Sequence, residues 1–298
     1  MRKIKGKMTY SKREALTGLL FISPWIIGFL TLFLEPLIKS LFYSFNKITI
    51  TEKGFDMKFV GLENFNYAIN EDALFKLSLI GSLRSIITDV PIIVIFSLFM
   101  ALVLNQKFKG RTFARAVFFL PVIISSGIII KYLRGDVFSQ SMRDGSSAFL
   151  FQNFNIVKIL NYLNVPPVLF TRLSIVVNQV FDLSWKSGIQ ILIFIAALQT
   201  IPKSFYEAST MEGCTSWEAF WKITFPMISP MILINIVYTI IDSFTDYNNP
   251  VMYVVYSKYN QLQFDLSAAY AWMYFICIFA ITIIIVKYLS KKVFYMVE

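Results

Sequence analysis

The sequence predicts an all-α membrane protein that crosses the bilayer six times, with a short cytoplasmic helix between the fourth and fifth spans. Three observations carry the prediction: composition, continuous apolar runs and the placement of basic residues. Of 298 residues, 56% are hydrophobic, and mean hydropathy is +0.62, more apolar surface than one soluble core hides. The runs reach the roughly 20 residues that a helical span needs. They are continuous rather than alternating, which argues against a transmembrane β-barrel. The net charge of +10 falls in short clusters beside those runs, as membrane topology requires. The same dispersal argues against a nucleic-acid surface.

The first span, at 16–43, contains Pro24 and Pro36 and is expected to bend. It is too long for a cleavable signal peptide and lacks a small-residue cleavage site. The second and third, at 77–104 and 113–133, hold Pro91 and Pro121, where kinks are expected. The remaining spans are read at 173–200, 224–245 and 268–290, all within a single domain over 1–298. Lysine and arginine counts set the orientation: fifteen lie at the N-terminus, after span two, around 201–223 and at the C-terminus. The opposite loops, much longer, carry nine. Both termini and the 201–226 segment are therefore expected in the cytoplasm. Outside, 46–76 is polar and of mixed charge, and 134–172 holds a weakly amphipathic stretch, Ala148 to Leu163, closed by Pro166 and Pro167. An external helix on the membrane surface and a packed loop both fit it.

Several chemistries are excluded. The chain has no histidine, so histidine-ligated zinc, histidine acid–base catalysis and histidine-ligated haem fall away. Cys214 in a polar loop and Cys277 in an apolar run do not suit a disulfide. No Walker A pattern is present, so any ATP would be bound elsewhere. An intramembrane carboxylate pair, Asp182 with Asp242, lacks any supporting local motif.

Polar stripes interrupt the spans. Asn178, Asp182, Lys186 and Gln190 recur every four residues along one face of span four. In span five the stripe is Asn235, Tyr238, Asp242 and Asp246, and span two adds Arg84, Ser85, Thr88 and Asp89. Ionisable groups in lipid face a cavity or a partner. Asp182 and Lys186 can pair within span four, lowering the cost of burying either charge. One reading is a substrate pathway opening outward; the other is a set of interhelical pairs, such as Arg84 with Asp182, that hold spans together.

The segment from Glu207 to Pro226, EASTMEGCTSWEAFWKITFP, is polar where a bare connection would suffice. Pro202 ends one helix, Lys203 to Met211 can form another, and Gly213 permits a turn at positive φ. Thr215 or Ser216 can cap the next helix. Such a helix either transmits motion from a docked soluble domain or lies in the headgroup layer.

The spacing of Glu207-Ala208, Gly213, Ile223 and Pro226 resembles the EAA loop of permease subunits in binding-protein-dependent ABC importers. Ser209 stands for the second Ala, Phe225 for Leu, and Glu212 and Cys214 for the Asp and Ala often flanking the glycine. Phe21 to Phe45, Phe59-Val60-Gly61-Leu62-Glu63-Asn64-Phe65, and Gly110 to Pro121 with Arg115 resemble further elements of sugar-type permeases. The branch is similar to maltose and glycerol-phosphate permeases. The resemblance implies a prokaryotic plasma-membrane subunit for import of a sugar or oligosaccharide. It implies a second, related permease as heterodimer partner, a pair of cytoplasmic ATPases that use ATP and Mg, and an extracytoplasmic binding protein. Glu207, Ala208, Ser209, Gly213 and Pro226 would form the ATPase-coupling element; this chain would need no cofactor of its own. An ATP-independent transporter or channel is the alternative, although no clear inverted repeat supports it.

Overall fold

The computed structural model describes residues 10–51, 54–125, 180, 182–246 and 249–294. Asn178, the 134–172 segment, the end of span three, the start of span four and the first nine residues lie outside that set. In chain order the helices are α1 Tyr10–Gly28, α2 Glu35–Ser44, α3 Glu63–Asn70, α4 Ala73–Asn105, α5 Arg111–Ser125, α6 Gly188–Thr200, α7 Lys203–Met211, α8 Ser216–Ala219, α9 Phe225–Thr245, α10 Pro250–Asn260 and α11 Phe264–Leu289. Four helical stretches among the described residues are long and apolar enough to cross a membrane, at Glu14–Ser44, Ala73–Asn105, Ser216–Asn260 (α8, α9 and α10 together) and Phe264–Lys292. The bent pair α6 and α7 makes a fifth candidate.

The all-α expectation needs one correction. Strands β1 (Asn46–Thr51) and β2 (Gly54–Phe59) pair antiparallel, with Ile48 opposite Met57 and Ile50 opposite Phe55. Apolar residues at every second position are the strand signal, and here they outweigh the polar average of the segment. A second difference is α10, a helix between spans five and six where the sequence suggests only a connection.

The chain divides into two compact units. The first comprises 1–79 and 250–276. In its opening span, proline leaves two backbone carbonyls without their helical donor. The Ser23 hydroxyl donates to the Leu20 carbonyl at 2.7 Å, replacing the missing Pro24 N–H. Ahead of Pro36 the helix widens into a π turn at Phe29–Leu34, so the expected bend takes the form of a change of register. No residue in the most apolar stretch of this span is buried by the rest of the chain. The core of the unit sits beneath the hairpin and α3: Ala68, Phe75, Val251, Val254, Tyr270 and Tyr274 are buried. Phe75 and Tyr270 rings lie 4.3 Å apart. Asp72 caps α4, accepting the Phe75 N–H at 2.9 Å, and takes the Tyr270 hydroxyl proton donor at 2.7 Å. Lys258 Nζ approaches the same carboxylate at 3.5 Å.

The second unit comprises 80–249 and 277–298. Here α4 runs through Pro91 without a break, and its last turn ends against Arg115, whose Nε and Nη2 donate to the Leu104 carbonyl at 3.2 and 3.0 Å. Helix α6 packs against α5 and α9 around buried Ile191, Phe194, Leu198, Ile228 and Ile240.

Candidate functional site

Two neighbouring features of the second unit carry the polar residues singled out above. The first is the segment from Ile201 to Pro226. Ile201 adopts an extended conformation before Pro202, as sterics before proline demand, and α7 leaves α6 at 63°. At the end of α7 the Cys214 N–H donates to the Ser209 carbonyl at 2.9 Å and the Gly213 N–H to that of Thr210 at 3.1 Å. This is a Schellman cap, and Gly213 supplies its left-handed residue at φ +75°. No atom would meet a Cβ at Gly213 within 4 Å, so backbone conformation alone selects glycine there.

Thr215 then opens α8 with a capping box: its Oγ1 accepts the Glu218 N–H at 3.3 Å, and Glu218 Oε2 accepts the Thr215 N–H at 2.9 Å. Hydrogen bonds from the Thr215 backbone and hydroxyl, then the Lys222 charge, hold the Glu218 carboxyl below its ordinary pKa. Of the two caps the sequence allows, the structure uses Thr215. Helix α8 passes through a π turn, Phe220–Thr224, directly into α9. Tyr206 OH and Thr224 Oγ1, 2.9 Å apart, tie α7 back to that junction. The segment is therefore braced at both ends and continuous with span five.

Glu207 and Ala208 are exposed, as are Met211 (89%) and Trp217 (70%). Ser209 points inward, 9% exposed; its hydroxyl donates to the Tyr206 carbonyl at 2.9 Å, which explains why serine fits where alanine is usual. Behind the segment lies a cavity of about 410 Å³, bounded by Leu102 and Asn105 of α4, by Gln106 just beyond it, and by Tyr206, Ser209 and Cys214. Pro226 follows the π turn Phe220–Thr224 in an otherwise uninterrupted helix, and the change of register takes up its missing N–H, as ahead of Pro36. Pro230 repeats the device of the first span: Ser229 Oγ donates to the Pro226 carbonyl at 2.7 Å.

The second feature is a buried joint between α6 and α9. Gln190 Nε2 donates to Thr239 Oγ1 at 3.2 Å, Thr239 donates to the Asn235 carbonyl at 2.7 Å, and Asn235 Nδ2 reaches the Gln190 carbonyl at 3.4 Å. Gln190 and Asn235 are wholly buried, yet among the described residues Gln190 Oε1 and Asn235 Oδ1 have no partner. One helical turn away, Lys186 Nζ lies 3.3 Å from Asp246 Oδ2. The structure thus brings together Gln190 with Asn235 and Lys186 with Asp246. Asp182, Asp242 and Arg84 are exposed on this chain, and Tyr238 and Asp89 are partly so; Thr88 donates to Asp89 Oδ1 at 3.0 Å. Thr239 was missed as a participant. Thr239 follows Asn235 by four residues, the spacing that marks the stripe, and is the signal that finds it.

A capped loop, long apolar helices and a buried polar joint between two of them together define a helical membrane protein. Comparison with known proteins gives the family. Residues 84–295 match the family described as the binding-protein-dependent transport system inner membrane component, and the chain belongs to it. It is 31% identical to the probable ABC transporter permease protein YesP of Bacillus subtilis, over 95% of this chain and 94% of that one. It is 29% identical to the arabinooligosaccharides transport system permease protein AraP of the same organism, over 79% and 70%. With the trehalose/maltose transport system permease protein MalF of Thermococcus litoralis it shares 25%, over 95% and 96%. The fold resembles a chain of a bacterial ABC transporter involved in import of the acidic polysaccharide alginate (TM-score 0.60, 18% identity, 94% of this chain and 96% of that one). A crystal structure of the bacterial alginate transporter, in complex with its alginate pentasaccharide-bound periplasmic protein, gives 0.59 at 16% identity over 92% and 93%.

Proposed function

We propose that this chain is the permease subunit of an ATP-driven importer for a sugar or oligosaccharide, with six spans and both termini in the cytoplasm. The observation that carries the reading is the rigid path from α7 through the Gly213 cap and the Thr215 box into span five, at the spacing of the family's EAA loop. Exposed Glu207, Ala208 and Met211 present one side of α7 to a partner ATPase subunit, where ATP and Mg are used. Because α8 continues into α9, a push on α7 moves span five and with it the Gln190–Asn235 joint. Two states with opposed access are the minimum for such transport. A second, homologous permease completes the pathway, and an extracytoplasmic binding protein delivers the substrate. The saccharide class rests on the relatives, whose names include arabino-oligosaccharides, maltose and trehalose.

On this reading the polar stripes, Arg84, Asp89, Asn178, Asp182, Lys186, Gln190, Asn235, Tyr238, Asp242 and Asp246, contribute to the pathway. The test is uptake of labelled oligosaccharides into cells carrying the intact system, with and without this chain. ATP-dependent accumulation that needs the chain is expected. Accumulation that survives ATP depletion contradicts the proposal and points to an ATP-independent carrier.

A further inference from the structure

The hairpin at 46–59 separates its residues by chemistry with no exception among the described positions beyond Asn46. Cross-strand pairing puts Ile48, Ile50, Phe55, Met57 and Phe59 on one face, and Lys47, Thr49, Thr51, Asp56 and Lys58 on the other. Apart from Ile48, the apolar face is largely uncovered among the described residues: Ile50 is 53% exposed, Phe55 58% and Phe59 72%. A two-stranded ribbon with such a face is not stable alone in water. Something must cover it.

Its position says what. Strand β1 begins two residues after span one ends at Ser44, and Phe55 packs edge-on against Phe264, the first residue of α11, at 5.8 Å. Both neighbours are ends of membrane spans, so the hairpin stands at the depth where hydrocarbon gives way to headgroups. It is also fixed there. Asn64 Nδ2 donates to the carbonyls of Ser44 and Asn46, each at 3.0 Å, and the Ile48 N–H donates to Asp265 Oδ2 at 3.2 Å. Lys47 and Lys58 face each other on the polar side, where water and anionic headgroups accommodate paired cations.

We propose that the apolar face of this hairpin lies in the headgroup–acyl boundary of the membrane, with Phe55 and Phe59 as its anchors and the lysine face toward water. Aromatic side chains favour that boundary, and amphipathic elements bury one face there in the same way. The ribbon then fixes the tilt of span one, whose most apolar stretch is unburied among the described residues.

Spin labels test this on the full chain, carrying Cys214→Ala and Cys277→Ala, in vesicles of phosphatidylethanolamine and phosphatidylglycerol. Labels at Phe55→Cys and Phe59→Cys are expected to collide with oxygen several-fold more often than with a water-soluble nickel chelate. Labels at Asp56→Cys and Lys58→Cys should show the reverse. If a label at Phe55 disturbs folding, Met57→Cys reads the same face. Equal, water-like access on both faces overturns the proposal. So does shielding of the apolar face from both reagents, which would identify a protein as its cover.

Discussion

Gly213 shows how much one residue decides. Its left-handed conformation closes the α7 cap, and a side-chain-bearing residue there costs about 1–2 kcal/mol. Gly213→Val is therefore expected to abolish ATP-coupled uptake while membrane levels, read by immunoblot, stay near wild type; Gly213→Asn should retain part of the uptake. Unimpaired uptake by the valine variant would remove the coupling role. Asp72 makes a second residue-scale case. Burial alone raises its pKa, but the Tyr270 hydroxyl, the Phe75 N–H and Lys258 outweigh it and hold the carboxyl below the ordinary range. A depressed folded value means stability present above the unfolded pKa of about 3.9 and lost as pH falls through the folded one. The gap in melting temperature between wild type and Asp72→Asn in detergent should be open at pH 7 and close in acid; a gap independent of pH contradicts the linkage. Gly213 was legible because spacing around a glycine is local. The Asp72–Tyr270 contact, 198 residues apart in the chain, leaves no local trace.

Elements were legible to different degrees for the same reason. Long apolar runs declare themselves by length, whereas the π turns before Pro36 and Pro226 and the serine donors before Pro24 and Pro230 appear only when each missing N–H is traced. Ser229→Ala leaves the Pro226 carbonyl without its donor. The expected loss is about 0.5–1.5 kcal/mol, that of one part-buried hydrogen bond, measured as a lower melting temperature; unchanged stability would show that the carbonyl finds another donor. The α6–α9 joint divides its two readings by experiment. If Gln190 and Asn235 only pack, Asn235→Leu leaves uptake intact and stability equal or higher, because it removes an unpartnered oxygen. If they line the pathway, as proposed, uptake falls severalfold with little change in melting temperature. The period-four stripes predicted that these residues share a face; the pairing of Lys186 with Asp246, from one stripe to the other, required the register of two helices.

For the whole molecule, an uncovered first span, exposed Met211 and Trp217, and polar residues on open faces of spans two, four and five describe a subunit rather than a self-sufficient carrier. Family membership agrees with this. The hairpin was obscured in the sequence because the loop's average polarity hides its alternation, and substrate identity was not legible because, on the proposed function, a separate binding protein carries much of the selectivity. The most direct measurement is isolation of the tagged chain from its native membrane in mild detergent, with mass spectrometry of what accompanies it. A second multi-span permease and an ATPase bearing Walker motifs are expected, the ATPase being lost from Gly213→Val. Recovery of the chain alone, or only with copies of itself, from folded and active membranes would contradict the importer-subunit account.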